Sequence, residues 1–202
     1  MPIIGIYLAA GKSRRMGQNK LALPVGKMAL GSLALDTAVQ SKLDVICVVT
    51  NADDELSWMP DQLKSHEKCK IITCPDADEG QSASLRCGIE YAAESGASAI
   101  VVLLADQPFL TIRMIDEMVS RLKLHPDSKY IATSYNGTMK PPILFTRELF
   151  PTLLTIRGDQ GARNLLRGVL SDEGKQLPCE DARLVFDVDN PDDYASLLSL
   201  LE

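Results

Sequence analysis

Long apolar runs are missing from the 202-residue sequence, in which stretches such as Ile100 to Ala105 are typical. They fall far short of the ~18 residues that a membrane span requires. The opening Met-Pro-Ile-Ile carries no basic stretch of the kind that starts a secretory signal, so a cytoplasmic protein with no membrane partner is expected. Cysteine is scarce and irregularly placed. Cys47, Cys69, Cys74, Cys87 and Cys179 are odd in number and include no Cys-x-x-Cys pair, which indicates neither a disulfide framework nor a zinc knuckle. Reduced, mostly buried thiols are expected. Cys74 and Cys87 flank a segment assigned below to the site, where a reactive thiol is the alternative. The two histidines, His66 and His125, lie near the polar ends of expected helices, which excludes a His-based catalytic triad.

What remains is ordinary for a folded chain. Hydrophobic residues make up 46% and charged residues 24%, with 13 Gly and 11 Pro, which excludes disorder, collagen and coiled coil. The length predicts one domain over residues 1–202, able to bury roughly 70% of its unfolded surface.

The net charge of −6 argues against a surface for nucleic acid. Its distribution says more. Residues 1–35 contain Lys12, Arg14, Arg15, Lys20 and Lys27 and no acid, so they carry +5 and leave −11 to the rest. A solvated basic loop is the ordinary explanation of such a run; the glycine pattern around it points elsewhere.

Ile3 to Leu8 reads as a buried strand that feeds the small residues Ala9-Ala10-Gly11. Asp44 to Thr50, Cys69 to Cys74 and Ala99 to Ala105 have the same near-continuous apolar character, which marks strands covered on both faces. Helical patterns alternate with them: around Leu30 to Ala38, Asp54 to His66, Ser82 to Glu94, and a stretch with Ile112, Ile115, Val119 and Leu122 on one face. This alternation predicts right-handed βαβ units. Further on come a strand near Lys129 to Tyr135, an Asn136-Gly137 hairpin turn and a returning strand from Pro142 to Thr146. A segment from Arg147 to Leu154, a helix from Gly158 to Leu170, a strand near Leu184 to Val188 and a final helix bearing Tyr194, Leu197, Leu198 and Leu201 complete the pattern. The expected fold class is α/β: a three-layer Rossmann-like arrangement, with a mostly parallel mixed sheet and helices on both faces.

Residues 8–20 read Leu-Ala-Ala-Gly-Lys-Ser-Arg-Arg-Met-Gly-Gln-Asn-Lys. A P-loop needs four residues between its glycines; Gly5 and Gly11 are separated by five, and Gly5 lies within the strand. No Gly-x-Gly-x-x-Gly follows the strand either. A small-residue turn at the end of the first strand is nevertheless where an open α/β sheet binds ligands. Backbone N–H groups of Ala9, Ala10 and Gly11 can approach a phosphate closely, and Arg15 and Lys20 add charge-assisted contacts.

The series Leu8-Ala9-Ala10-Gly11-x-Ser13-x-Arg15-Met16-Gly17-x-x-Lys20-Leu21 resembles the signature of the nucleotidyltransferases with the sugar-nucleotide type of Rossmann-like fold, most of all the molybdenum cofactor cytidylyltransferases. Such a reaction needs Mg²⁺, a hard ion held by one or two carboxylates and the substrate phosphates. Asp106 closes an apolar strand before Gln107-Pro108, in a motif similar to that of the family's metal-binding Asp. Phe186-Asp187-Val188-Asp189-Asn190-Pro191 offers a second source: an extended chain would put Asp187 and Asp189 on one face, where a cation relieves their repulsion. Asn190 caps the last helix. Gly80, Ser82 and Ser84 resemble the family's Gly-x-Ser-x-Ser-Leu, which helps to enclose the nucleotide; plain capping of the helix near Ser82 is the alternative.

Lys140-Pro141-Pro142-Ile143-Leu144-Phe145 and Gly158-Asp159-Gln160-Gly161-Ala162-Arg163 extend the likeness over nearly the whole chain, although family members often have His where Lys140 stands. The resemblance implies an acceptor-side role here, in which Lys140 and Arg163 would meet an acceptor phosphate, a structural role being the alternative for Arg163.

The resemblance implies a Mg²⁺-dependent enzyme that transfers CMP from CTP to the phosphate of molybdopterin and releases pyrophosphate. Its nucleotide-binding residues would be Leu8, Ala9, Ala10, Gly11, Arg15, Lys20, Gly80, Ser82 and Ser84, its catalytic residues Arg15, Lys20 and Asp106, and its metal ligands Asp106 with Asp187 or Asp189. The product would serve a molybdenum hydroxylase such as xanthine dehydrogenase. The alternatives are a transferase acting on a sugar or polyol phosphate, and a non-catalytic carrier of the cofactor.

Overall fold

In a computed structural model, residues 1–158 and 173–201 are described. The expected helix from Gly158 to Leu170, with Asp159, Gly161 and Arg163, lies almost wholly outside them. Strand β1 (Ile3–Leu8) pairs in parallel with β4 (Val45–Thr50) on one side and β6 (Ala99–Leu104) on the other, and β5 (Cys69–Thr73) extends the β4 side. Beyond β6 the sheet continues through β8 (Thr138–Thr146), β7 (Tyr130–Tyr135) and β9 (Gly174–Pro178), giving the order β5-β4-β1-β6-β8-β7-β9. Only β8 runs against the others among these strands. The mostly parallel, mixed α/β sheet is therefore as expected.

Alternation along the strands divides the core into two layers. Tyr7, Ile46, Val48, Val101 and Leu103 face α1 (Leu30–Val39) and α4 (Ile112–Leu124), with Trp58 and Met59 filling the same side. Ile4, Ile6, Cys47, Val49 and Ile100 face α3 (Gln81–Glu94) and α5 (Phe150–Leu154). At Gly88, on the face of α3 toward the sheet, an added Cβ would collide with the Ile6 side chain, so the helix approaches β1 through that missing side chain. Thr111 starts α4, accepting the Met114 N–H at 3.3 Å.

Several elements differ from expectation for local reasons. Asp54 to His66 contains only a single helical turn, α2 (Asp61–Lys64). Asp54 ties down the chain before it, accepting the Leu56 N–H at 2.8 Å and the Trp58 indole N–H at 3.0 Å, and Leu56 has a left-handed φ of 55°. A small hairpin, β2 (Pro24–Val25) and β3 (Met28–Ala29), turns through Gly26 at φ +61°. Asn136 and Gly137, with φ 47° and 71°, make the anticipated hairpin turn. The returning strand starts at Thr138 rather than Pro142, because the pairing steps past Pro141 and Pro142, from Thr133↔Lys140 to Ala132↔Ile143. Thr133 Oγ1 donates to the Pro142 carbonyl at 3.0 Å.

Leu184 to Val188 forms no strand: Asp181 caps a 3-10 turn over Ala182–Val185, and the chain then leads without regular structure to the last helix, α6 (Pro191–Leu201). Asn190 Oδ1 accepts from the N–H groups of Asp192 and Asp193, while Asp193 Oδ2 accepts from Asp189 and Asn190, a reciprocal cap.

The expectation that all five thiols are reduced is overturned at one pair. Cys74 and Cys87 form a disulfide, leaving Cys47, Cys69 and Cys179 free. The bridge joins the end of β5 to the second turn of α3, two points that only the fold brings together. Alkylation of the unfolded, unreduced protein is expected to label the three free cysteines, and all five after reduction. Five labels before reduction, by mass spectrometry, would contradict the pairing.

Candidate functional site

The carboxyl ends of β1 and β6 lie side by side at the point where the chain order reverses, with β4 and β5 on one side and β6 on the other. Open α/β sheets leave their ligand crevice at such a point. The turn after β1 is held at its root by Ala9 N–H to the Val49 carbonyl (2.9 Å) and Ala105 N–H to the Leu8 carbonyl (3.2 Å). Ser13 has a left-handed φ of 50°, and its hydroxyl accepts the Lys20 N–H at 3.1 Å. Asn19 accepts the Leu21 N–H at 3.0 Å and caps a 3-10 turn over Lys20–Ala22. These bonds turn Lys20 inward, leaving its side chain 11% exposed.

The Lys20 ammonium meets three acceptors: Asp106 Oδ2 at 2.6 Å, the Val188 carbonyl at 2.9 Å and Asp189 Oδ1 at 3.0 Å. Arg15 reaches the other oxygen of Asp189 at 2.9 Å. The 187–189 segment, which belongs to no sheet, is fixed by these contacts and by the Val188 N–H, which donates to the Asp106 carbonyl at 3.0 Å. Asp106 Oδ1 is buried and has no hydrogen-bond partner.

Burial works to lower the Lys20 pKa, but Asp106 and Asp189 outweigh it and hold the ammonium above the ordinary lysine range. For Asp106 burial prevails over the pull of Lys20 and raises the carboxyl, with Asp187 and Asp189 adding to the rise. Asp189 is less buried; Lys20 and Arg15 overcome its desolvation and lower it.

A cavity of about 500 Å³ opens above this cluster, lined by the β1 turn, by Asp106 and Asp189, and by Asp78 to Gln81 and Ser84 from the start of α3. A second hollow of about 540 Å³ continues past the turn toward Asn51 and Asp53. Lys12 and Asp78, paired at 2.7 Å, line both.

Residues 5–177 match the model of the MobA-like NTP transferase domain. The chain belongs to the MobA-like NTP transferase family. As a member it is a nucleotidyltransferase. It is 39% identical over 196 residues to the purine catabolism protein PucB of Bacillus subtilis, covering 95% of this chain and 94% of PucB. It is 26% identical over 189 residues to the molybdenum cofactor cytidylyltransferase of Escherichia coli, covering 94% and 92%. Relatives named molybdenum cofactor guanylyltransferase match at comparable identity. Among solved structures, Rv0371c of Mycobacterium tuberculosis superposes with a TM-score of 0.83 at 25% identity, covering 98% of each chain.

In this MobA-like transferase Leu8, Ala9, Ala10, Gly11, Arg15, Lys20, Gly80, Ser84, Asp106 and Asp189 line the cavity. Ser82 does not: it is buried behind the rim, and its hydroxyl accepts from Arg86 at 3.3 Å. Gly80, at φ 108°, bends the chain into α3, a conformation that favours glycine. The segment that carries Asp187 and Asp189 is not a strand, and the two acids have different partners. Asp187 accepts from Gln107 Nε2 at 2.7 Å and lies 3.6 Å from Lys140, outside the lining of the cavity. The sequence reading missed Gln107, the Val188 carbonyl and the Lys12–Asp78 pair. Lys12 was legible as part of the basic run; its partner was not. Among the described residues no group of three or more His, Cys, Asp or Glu is gathered to hold a metal. Four described carboxylates line the cavity: Asp106 and Asp189 meet at Lys20, while Asp78 and Glu79 on the opposite wall are paired with Lys12 and Arg86.

Lys20→Met is expected to destabilise the fold by about 3–5 kcal/mol, because it leaves two neighbouring carboxylates without their shared cation. Lys20→Met with Asp106→Leu should recover much of that loss. Urea denaturation of the wild type, the single variants and the double variant measures the coupling; strictly additive losses would contradict it.

Proposed function

We propose that this transferase moves CMP from CTP to the phosphate of molybdopterin, with residues 1–202 acting as one nucleotidyltransferase domain. The observation that carries the reading is the contact of Lys20 with Asp106, which joins the cationic β1 turn to the acid at the end of β6 across one crevice. A polyphosphate seated on the turn would meet the backbone N–H groups of Ala10 and Gly11, that of Ala9 being bound to the Val49 carbonyl, and the charges of Lys12, Arg15 and Lys20. Gly80 and Ser84 would close the opposite wall.

The residues present suit a divalent cation such as Mg²⁺. Asp106 presents a buried, unpartnered carboxylate oxygen to the cavity end of β6, and Asp189 lies across the Lys20 ammonium from it. Asp106 and Asp189 would hold the ion, a set of hard oxygens sufficient for a metal that keeps waters and substrate phosphates as its remaining ligands. When bound, such an ion neutralises charge on the attacking and leaving oxygens.

Arg15 and Lys20 stabilise the negative charge that gathers on the leaving pyrophosphate as the α-phosphorus is attacked. The acceptor phosphate is already ionised near neutral pH, so the chain needs no general base, in keeping with a cavity that has no histidine among its described lining residues. Asp187, paired with Lys140 and held by Gln107, would stand on the acceptor side of the reaction. The name of the 39% identical relative, a purine catabolism protein, supports a product destined for a purine-oxidising molybdenum hydroxylase of the xanthine dehydrogenase type.

GTP is the rival donor, favoured by the relatives named guanylyltransferase. Incubating the protein with molybdopterin, Mg²⁺ and each nucleoside triphosphate in turn, while measuring pyrophosphate, is expected to show the fastest release with CTP. Preference for GTP overturns the cytidylyl assignment, and release only with sugar or polyol phosphates overturns the acceptor. Asp106→Ala is expected to lower the rate by about 100-fold or more.

A further inference from the structure

The Lys20 cluster is closed upon itself. An ammonium has three N–H groups, and all three of Lys20 are directed to acceptors: Asp106, Asp189 and the Val188 carbonyl. Arg15 occupies the second oxygen of Asp189. Two cations thus neutralise two carboxylates, and of the four carboxylate oxygens only Asp106 Oδ1 is without a partner. In this arrangement Lys20 has no N–H left for a phosphate, and both oxygens of Asp189 already face a cation.

Either ligand arriving alone meets a penalty. A triphosphate that drew Lys20 and Arg15 away would leave two neighbouring acids, one of them buried, without a counter-charge. A divalent cation that displaced them would leave both basic groups without an acceptor in a pocket that then holds excess positive charge. Arriving together, the two ligands exchange partners with the protein: the cation takes the carboxylates, the phosphates take Lys20 and Arg15, and every charge remains paired.

We infer that Lys20 is an internal counter-ion that occupies the position of the divalent cation, so that metal and triphosphate bind as a mutually dependent pair and each binds weakly without the other. The exchange requires little backbone motion. The Lys20 N–H stays on Ser13 and the Asn19 cap holds the turn, while the flexible four-carbon stem carries the ammonium from the acids toward the phosphates. Lys20 is in this sense a positioning residue in the free protein and a phosphate contact in the loaded one. The inference rests on the reading of the cavity as a metal–triphosphate site.

Equilibrium binding tests it without turnover. Mn²⁺ titrations followed by electron paramagnetic resonance, with no nucleotide present, are expected to show weak binding to the wild type and about tenfold or tighter binding to Lys20→Met, within the range of ordinary site coupling. Adding Asp106→Asn to Lys20→Met should abolish the gain, which assigns it to this site. Calorimetric titration of CTP in the presence of EDTA should show the converse: Asp106→Asn releases Lys20 and binds the metal-free triphosphate about tenfold more tightly than the wild type. Circular dichroism checks folding. If Lys20→Met does not fold, Arg15→Gln, which alters a side chain 68% exposed, is expected to give a smaller gain in Mn²⁺ affinity.

Equal Mn²⁺ affinity in wild type and Lys20→Met, or no gain in metal-free CTP affinity in Asp106→Asn, overturns the exchange. If the wild type binds CTP with Mn²⁺ but those gains are absent, only the exchange fails. If Lys20→Met gains Mn²⁺ affinity while the wild type with Mn²⁺ binds no nucleoside triphosphate, the exchange stands and the functional reading fails.

Discussion

The interaction on which the site depends is the triple contact of one lysine ammonium with Asp106, Asp189 and the Val188 carbonyl. Those groups come from three regions of chain far apart in sequence: the turn after the first strand, the end of the fourth parallel strand, and the loop before the last helix. No β-ladder holds the last of these in place. Charge does the work that hydrogen-bond pairing does elsewhere in the sheet, assisted by the Val188 bond to the Asp106 carbonyl and the Gln107 bond to Asp187. An ion pair this well buried is a poor source of net stability when compared with packed apolar groups, yet breaking it is costly. Such a pair suits a location that must be well defined when empty and rearranged when filled.

The parallel half of the fold was plain in the amino-acid sequence, because strands buried on both faces must be apolar at nearly every position. Ile3–Leu8, Val45–Thr50 and Ala99–Leu104 are of this kind. The edge strand Gly174–Pro178 carried no such signal: half-exposed, with lysine and glutamine at its centre, it has no apolar run to mark it. The region after Thr50 misled in the opposite sense. Its hydrophobic residues Trp58 and Met59 are buried as expected of a helix face, but Asp54 spends its side chain on local bonds that fold the backbone into turns.

Within the site, the cationic turn and Asp106 were legible because each sits at the end of a recognisable buried strand. The roles of Asp187 and Asp189 were not separable. Two-residue periodicity applies only to extended, paired chain, and their actual divergence is decided by Gln107 and Lys140 on one side and Lys20 and Arg15 on the other. The Cys74–Cys87 bridge was hidden for a similar reason. A spacing of thirteen residues between a strand end and the second turn of a helix has no motif, and only the docking of α3 on the sheet brings the two sulfurs together.

That docking also fixes a dimension of the cavity. Helix α3 packs tightly on β1 at Gly88, against Ile6, whereas the rim residues Gly80 and Gln81 stand about two turns nearer the amino end, roughly 10 Å along the axis. The helix therefore acts as a lever whose pivot is the absent side chain. Even a methyl group at Gly88 would lift or tilt the rod, and the far arm would carry the pocket wall with it. The aperture of this cavity is set in part by an interior position that never touches what enters it.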